Sequence, residues 1–113
     1  MLAFLRCFRQ CGKTEETMEK SVSKTRWHIY FSGRVQRVGF RYTASRLAKN
    51  LSLTGWVANL PDDRVEMEVQ GAVSQLRKLI IQLKAQPYIR IEHMEITEID
   101  VKPSEHTFAV TGY

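Results

Sequence analysis

Residues 33–41 have the sequence GRVQRVGFR and lie between a predicted strand, Trp27 to Ser32, and a predicted helix that begins near Arg41. A glycine-bearing turn at the start of a helix directs backbone N–H groups outward, and the first N–H groups of the helix have no internal partner. Such a turn favours an anion. Three arginines, Arg34, Arg37 and Arg41, add positive charge. The stretch therefore predicts a phosphate or carboxylate cradle, and the alternative is a basic turn that covers the edge of a sheet.

The segments on either side of this turn have the periodicities of two different elements. Trp27, Ile29 and Phe31 alternate with more polar residues, which predicts a strand with one buried face. After the turn, apolar residues recur at helical spacing and predict one apolar stripe on a helix of about three turns. The stripe consists of Phe40, Ala44, Leu47, Ala48 and Leu51.

The next segments predict a hairpin and a second helix. Residues 54–59 form a predicted strand, and residues 61–64 form a predicted turn. Val65, Met67 and Val69 alternate strictly with Glu66, Glu68 and Gln70, so residues 55–70 are predicted to form a hairpin. A second helical stripe follows and ends before Pro87. Its members are Val73, Leu76, Leu79, Ile80 and Leu83.

The last part of the chain predicts strands with an irregularity. The apolar phase slips between Ile91 and Val101, which favours a bulge or an edge strand, and Phe108 and Val110 predict a closing strand. The predicted order is β-α-β-β-α-β with a divided or bent fourth strand. This is the ferredoxin-like arrangement of the α+β class, a sandwich in which two helices cover one face of an antiparallel sheet.

Residues 33–41 resemble the phosphate-binding signature of the acylphosphatases, G-[RK]-V-Q-G-V-G-F-R, at eight of nine positions. The exception is Arg37, where the family usually has glycine. Residues 55–59 match a second family stretch, G-W-V-x-N. The resemblance covers about residues 27–113 and implies the strand order 4-1-3-2 for an acylphosphatase-like domain. Residues 1–26 are expected to be an N-terminal extension, either flexible or partly helical.

The resemblance implies a hydrolase that cleaves the carboxyl–phosphate bond of acyl phosphates to give a carboxylate and inorganic phosphate. Phosphoryl transfer through a loose transition state needs mainly positioning and charge stabilisation. Since a carboxylate is a good leaving group, a strong general acid and a metal are less necessary, and no cofactor is expected. The expected partner is a small-molecule acyl phosphate.

Two residues are predicted to be catalytic. The resemblance implies that Arg41 binds the substrate, and its planar guanidinium fork matches two phosphate oxygens. Asn59 offers a donor and an acceptor that can orient a water for in-line attack, although such a residue is often only a turn cap. The phosphate loop implied by the resemblance consists of Arg34, Val35, Gln36, Arg37, Val38, Gly39 and Phe40.

The departure at Arg37 has a physical cost if the backbone there has a positive φ, because arginine would then lose about 1–2 kcal/mol relative to glycine. The loop is expected to be adapted and the enzyme active.

Neither motif contains an obvious general base, so a phosphate oxygen of the substrate is expected to accept the proton of the water. The three histidines have no acidic partner at a recognisable spacing and are expected to be structural or at the surface. They are His28, His93 and His106.

Composition limits the remaining function classes. The net charge of the 113 residues is +5, of which residues 1–26 carry +3, so charge alone does not favour nucleic-acid binding. Cys7 and Cys11 are poorly spaced for a bond between them, and no metal site is expected. No apolar run approaches the roughly 20 residues needed to span a bilayer. A cytoplasmic monomer with no membrane or nucleic-acid partner is therefore expected.

The sequence leaves two other interpretations open. A ferredoxin-like fold commonly binds RNA on its sheet face, which requires exposed aromatic residues with basic surroundings. Tyr30 supplies one aromatic residue, but Glu66 and Glu68 would repel phosphate. A fold of the acylphosphatase type also occurs as one domain of larger carbamoyl-transfer proteins. This chain is expected to be too short for such a protein. A non-catalytic module that binds anions or RNA remains the alternative.

Overall fold

The computed structural model describes residues 23–112, so the predictions for the N-terminal extension and for Cys7 and Cys11 lie outside the described residues. Five strands and two helices follow one another in this part of the chain. In sequence order they are β1 (Thr25–Arg34), α1 (Phe40–Asn50), β2 (Thr54–Asn59), β3 (Val65–Gly71), α2 (Val73–Lys84), β4 (Arg90–Ile99) and β5 (Phe108–Gly112).

The five strands form one sheet in the order β4-β1-β3-β2-β5. β1 pairs antiparallel with β3 and with β4, and β2 pairs antiparallel with β3. The predicted order 4-1-3-2 and the ferredoxin-like α+β fold are thus confirmed. The predicted division of the last strand is also found, but its two parts lie at opposite edges of the sheet, and β5 runs parallel to β2.

The predicted irregularity near the C-terminus has two physical origins. β4 is an edge strand, and its register against β1 shifts between Ser32 and Gly33, where Glu92 is left without an opposite residue. The shift allows Ile91 and Met94, three residues apart, both to pack against the core. The bulge lies closer to the start of the strand than the slip in the apolar pattern indicated.

The core lies between the two helices and one face of the sheet. All five residues of the first helical stripe are buried, whereas in α2 Leu76, Leu79 and Leu83 are buried and Val73 is 37% exposed. The rings of Phe31 in β1 and Phe40 in α1 lie 4.9 Å apart between centroids. Burial of one such side chain stabilises the fold by about 1.5–3 kcal/mol. This contact therefore fixes the start of α1 against the end of β1.

Arg26 lies at the centre of a polar network on the helix-free face of the sheet. β1 begins at Thr25, two residues before the start predicted for this strand, so Arg26 belongs to the sheet. Its side chain is fully buried and donates five hydrogen bonds to Glu68, Gln70 and Glu105 at 2.7–3.2 Å. Glu105 belongs to the segment between β4 and β5, so the network holds this crossing segment against the sheet.

The carboxyl of Glu105 responds to this network. Burial acts to raise its pKa, but hydrogen bonds from Arg26 and Thr54 and the charges of Arg26 and Lys102 outweigh burial and lower the pKa. A depressed pKa in the folded state means that the ionised carboxylate stabilises the fold.

Elsewhere on the same face, polar pairs cover the central strands. Nε2 of His28 lies 2.7 Å from Oε2 of Glu66 on the neighbouring strand, so this histidine has an acidic partner that no sequence spacing indicates. Strand pairing brings the two together across 38 positions of sequence. The guanidinium of Arg64 lies 4.4 Å from the ring centroid of Tyr30.

Within residues 23–112, no helix is long and apolar enough to cross a membrane.

Candidate active site

The turn between β1 and α1 has a left-handed backbone at two positions. Arg37 has φ 64°, and Gly39, which precedes the first residue of the helix, has φ 78° and ψ 21°. Arg37 therefore has the positive φ at which arginine is costly, and its backbone is strained by about 1–2 kcal/mol relative to glycine. Gly39 adopts its conformation without that cost. These two positions reverse the chain so that it leaves the sheet and enters the helix.

The start of α1 is open to an anion. No side chain caps this end of the helix, and the first turn contains no acidic residue. The first N–H groups of a helix have no partner within the helix, and the helix dipole places partial positive charge there. Arg41 adds a full positive charge in the same turn. A bound phosphate would balance both charges and accept hydrogen bonds from the free N–H groups.

A cavity of about 530 Å³ opens in front of this helix start. Both residues that were predicted to be catalytic, Arg41 and Asn59, line this cavity, although they are distant in sequence. Its lining contains no carboxylate among the described residues. The lining residues are Val35, Gln36, Arg37, Gly39, Phe40, Arg41, Tyr42, Asn59 and Val110.

The end of the sheet brings Arg41 and Asn59 together. β5 runs parallel to β2, and this pairing places Thr111 opposite Ala58 and Gly112 opposite Asn59. Nη1 of Arg41 donates a hydrogen bond to the carbonyl oxygen of Thr111 at 3.2 Å. The partly exposed guanidinium is thus held beside the end of β2, and its remaining N–H groups can donate to an anion in the cavity.

Gln36 connects the loop to the β2–β3 hairpin. Its side-chain Nε2 donates to the carbonyl oxygen of Leu60 at 2.7 Å and to that of Arg64 at 2.8 Å. Leu60 directly follows Asn59, so the two bonds set the distance between the loop and the residue predicted to orient water. Gln36 was predicted to belong to the phosphate loop; its side-chain amide nitrogen makes this bridge, and the residue also lines the cavity.

Two residues of the predicted loop do not reach the cavity. Arg34 lines a separate, smaller cavity with residues 87–90, and Val38 packs against the hydrophobic core. Val35 and Phe40 do line the cavity, but their side chains are almost completely buried in the core. They therefore shape the loop from below, and the polar surface of the cavity comes from Gln36, Arg37, Arg41 and Asn59.

Two residues of the lining, Tyr42 and Val110, were not among the predicted site residues. Tyr42 is 72% exposed and follows Arg41 in the first turn of α1, so its position next to the site is visible in the sequence. Val110 is 50% exposed and was predicted only as part of a closing strand. Its place at the cavity depends on the parallel pairing of β5 with β2, for which the local sequence contains no signal.

The sequence model of the acylphosphatase family matches residues 27–110. The chain belongs to the acylphosphatase family. An acylphosphatase from Geobacillus thermodenitrificans is 40% identical over 86 residues, which are 75% of this chain and 92% of the relative. The recognition of the family from residues 33–41 and 55–59 is thereby confirmed.

Solved structures agree with this family assignment. The crystal structure of an acylphosphatase from Bacillus subtilis has a TM-score of 0.72 and 32% identity, and covers 77% of this chain and 98% of that one. HypF from T. kodakarensis has a TM-score of 0.68 and 32% identity, but the match is only 12% of the HypF chain. The acylphosphatase fold of this chain thus also occurs as a small part of a much longer protein.

Proposed function

We propose that this chain hydrolyses acyl phosphates in the cavity at the start of α1, with Arg41 and Asn59 as catalytic residues. Family membership and the identity with the Geobacillus enzyme assign the activity, that of a hydrolase of the acylphosphatase type. The observation that supports the residue assignment is that a single cavity receives the loop, the guanidinium of Arg41 and the amide of Asn59.

The phosphoryl group of the substrate lies against the loop and the helix start. Free N–H groups of the first turn and the guanidinium of Arg41 donate to its non-bridging oxygens. These donors stabilise charge that spreads over the oxygens in the loose transition state. The resemblance implies residues 34–40 as the phosphate-binding loop; of these, residues 35–37, 39 and 40 line the cavity, Val35 and Phe40 with buried side chains.

Asn59 orients the attacking water. Its side-chain oxygen accepts a hydrogen bond from the water, which directs a lone pair of the water oxygen toward phosphorus. The new P–O bond forms as the bond between phosphorus and the acyl oxygen breaks, and the carboxylate leaves with its electron pair. A phosphate oxygen accepts the proton that the water loses, since no carboxylate lines the cavity among the described residues. The products are a carboxylate and inorganic phosphate, and no metal or cofactor takes part.

The acyl group of the substrate projects beyond the cradle, toward the exposed side of the cavity. Tyr42 and Val110 provide apolar surface there, and both are at least half exposed. Contact with these two side chains would be shallow, so a range of acyl groups is accepted.

Hydrolysis of benzoyl phosphate, without added metal and with a chelator present, tests the proposal. Replacing Arg41 or Asn59 with alanine should each lower kcat/KM by about a hundredfold to a thousandfold, the usual loss when one positioned donor is removed. Arg46→Ala and Asn50→Ala are matched controls, because both residues are exposed on α1 and neither lines the cavity. Full activity in Arg41→Ala or Asn59→Ala would contradict the assignment. A rate profile governed by the pKa of an Asp or Glu would contradict proton transfer to the substrate.

We further propose that the enzyme acts on its small-molecule substrate as a cytoplasmic monomer, with no nucleic-acid partner. On the helix-free face, Tyr30 is covered by the guanidinium of Arg64, and acidic Glu66 and Glu68 lie beside it. A base would have to displace Arg64 before it could stack on Tyr30, so this face is poorly suited to RNA. Gel filtration tests the oligomeric state, and titration with a single-stranded RNA tests the alternative function.

A further inference from the structure

Arg37 occupies a costly position in the loop. Its φ of 64° is one that a residue with a Cβ disfavours. The family signature has glycine at this position, which would relieve the strain. Strained residues of this kind persist mainly at sites where they serve function. The strain therefore directs attention to what the Arg37 side chain does.

The surroundings of Arg37 show no structural use for its charge. The residue is exposed, and within residues 23–112 its guanidinium makes no ion pair and no hydrogen bond. By contrast, Arg26 on the helix-free face of the sheet is completely enclosed by acidic and amide partners. Arg37 instead lines the cavity that contains Arg41 and Asn59.

The charge of the cavity exceeds what one phosphoryl group requires. Arg41 and the free N–H groups at the helix start already match the phosphate of the substrate. Arg37 adds a second guanidinium to the same cavity, whose described lining contains no carboxylate. Unopposed positive charge in a cleft attracts ligands of higher negative charge.

We propose that Arg37 is a specificity residue that favours acyl phosphates whose acyl group carries a second anionic group, a carboxylate or a phosphate. The guanidinium of Arg37 would donate hydrogen bonds to that group while Arg41 holds the phosphoryl group that is transferred. The assignment rests on the proposed function, because it concerns the acyl end of the same substrate.

Four substrates that share one ring separate the effect of charge from that of size. They are benzoyl phosphate and its 4-carbamoyl, 4-carboxy and 4-phosphono derivatives. The carbamoyl group has nearly the shape of the carboxylate but no charge. The wild-type enzyme should prefer the 4-carboxy over the 4-carbamoyl substrate about threefold to tenfold in kcat/KM, as expected for a partly exposed charged hydrogen bond. The preference should shrink as salt is added.

The variants separate the charge of Arg37 from its backbone strain. Arg37→Gln keeps a long side chain and the strained φ but removes the charge, whereas Arg37→Gly removes both. Both should abolish the preference, and Arg37→Lys should retain part of it. Arg46→Gln removes an equal charge from an exposed position of α1 and should leave the preference unchanged. Comparison of the carboxy and phosphono substrates shows which anion the subsite prefers.

The possible results are distinguishable. Equal loss of activity on all four substrates in Arg37→Gln, with weaker inhibition by inorganic phosphate, would show that Arg37 binds the transferred phosphate and would overturn the inference. An unchanged 4-carboxy preference in Arg37→Gln would also overturn it. If the wild-type enzyme hydrolysed none of the four substrates, the proposed function itself would fail.

Discussion

The bridge from Gln36 to the hairpin leads to a prediction that separates positioning from phosphate binding. Gln36→Met keeps the length of the side chain and removes the N–H donors that reach Leu60 and Arg64. The carbonyl of Arg64 still accepts the N–H of Leu60 at 2.9 Å, and the carbonyl of Leu60 still accepts the N–H of Asp63 at 3.3 Å. Since both carbonyls keep a backbone partner, the variant loses two net hydrogen bonds without creating an orphaned acceptor.

The magnitudes follow from this count. Each net hydrogen bond contributes about 0.5–1.5 kcal/mol, so the loss of two should lower the free energy of unfolding by about 1–3 kcal/mol. The larger effect is expected on kcat, because Asn59 adjoins Leu60 and a displacement of about 1 Å in a positioning group can cost about a hundredfold. We expect kcat for benzoyl phosphate to fall by about tenfold to a hundredfold. Inhibition by inorganic phosphate should change by less than about threefold, since Arg41 and the helix start are untouched.

The assay combines steady-state hydrolysis of benzoyl phosphate, inhibition by inorganic phosphate and urea unfolding. Gln75→Met is a matched control, because the side chain of Gln75 donates to the carbonyl of Leu51 at 3.4 Å, outside the cavity. It should lower stability slightly and leave kcat unchanged. If Gln36→Met lost stability but kept its kcat, Gln36 would be a structural residue only. If phosphate inhibition weakened as much as kcat fell, the bridge would support the cradle rather than Asn59.

Three further predictions concern stability. Glu105→Gln should reduce the free energy of unfolding by about 1–2 kcal/mol at pH 7, since it weakens charged hydrogen bonds to Arg26. Because the folded-state pKa of Glu105 is depressed, the stabilisation by its carboxylate is present at neutral pH and is lost as the pH falls below about 4.5, the ordinary pKa of this carboxyl. The free energy of unfolding in urea should therefore depend less on pH in the acid range for the variant than for the wild type. Gly55→Ala should not give folded protein by circular dichroism, because the added Cβ would lie 1.9 Å from the carbonyl oxygen of Glu68. At Gly39 an added Cβ would meet no atom within 4 Å, so Gly39→Ala should lower the free energy of unfolding by only about 1–2 kcal/mol. Arg37→Gly should raise the urea midpoint, with a gain of about 1 kcal/mol, and an unchanged midpoint would show that the loop is not strained.

The local pattern of the chain was sufficient for the elements and for half of the site. The apolar stripe of α1 and the alternation in β3 follow from the periods of the helix and the strand, and each residue acts through its near neighbours. The cradle was predictable for the same reason, since a glycine-bearing turn with basic residues at the start of a helix is a local feature. Arg41 could therefore be identified from the residues around it.

Tertiary structure decided which distant residues meet at that cradle. Asn59, Thr111 and Val110 come to Arg41 because β5 pairs in parallel with β2, and the bridge from Gln36 requires the hairpin to lie beside the loop. The burial of Arg26 likewise depends on a segment that crosses the sheet between its two edges. Strand pairing and loop packing join positions that are tens of residues apart, so the sequence near each residue contains no record of its partner.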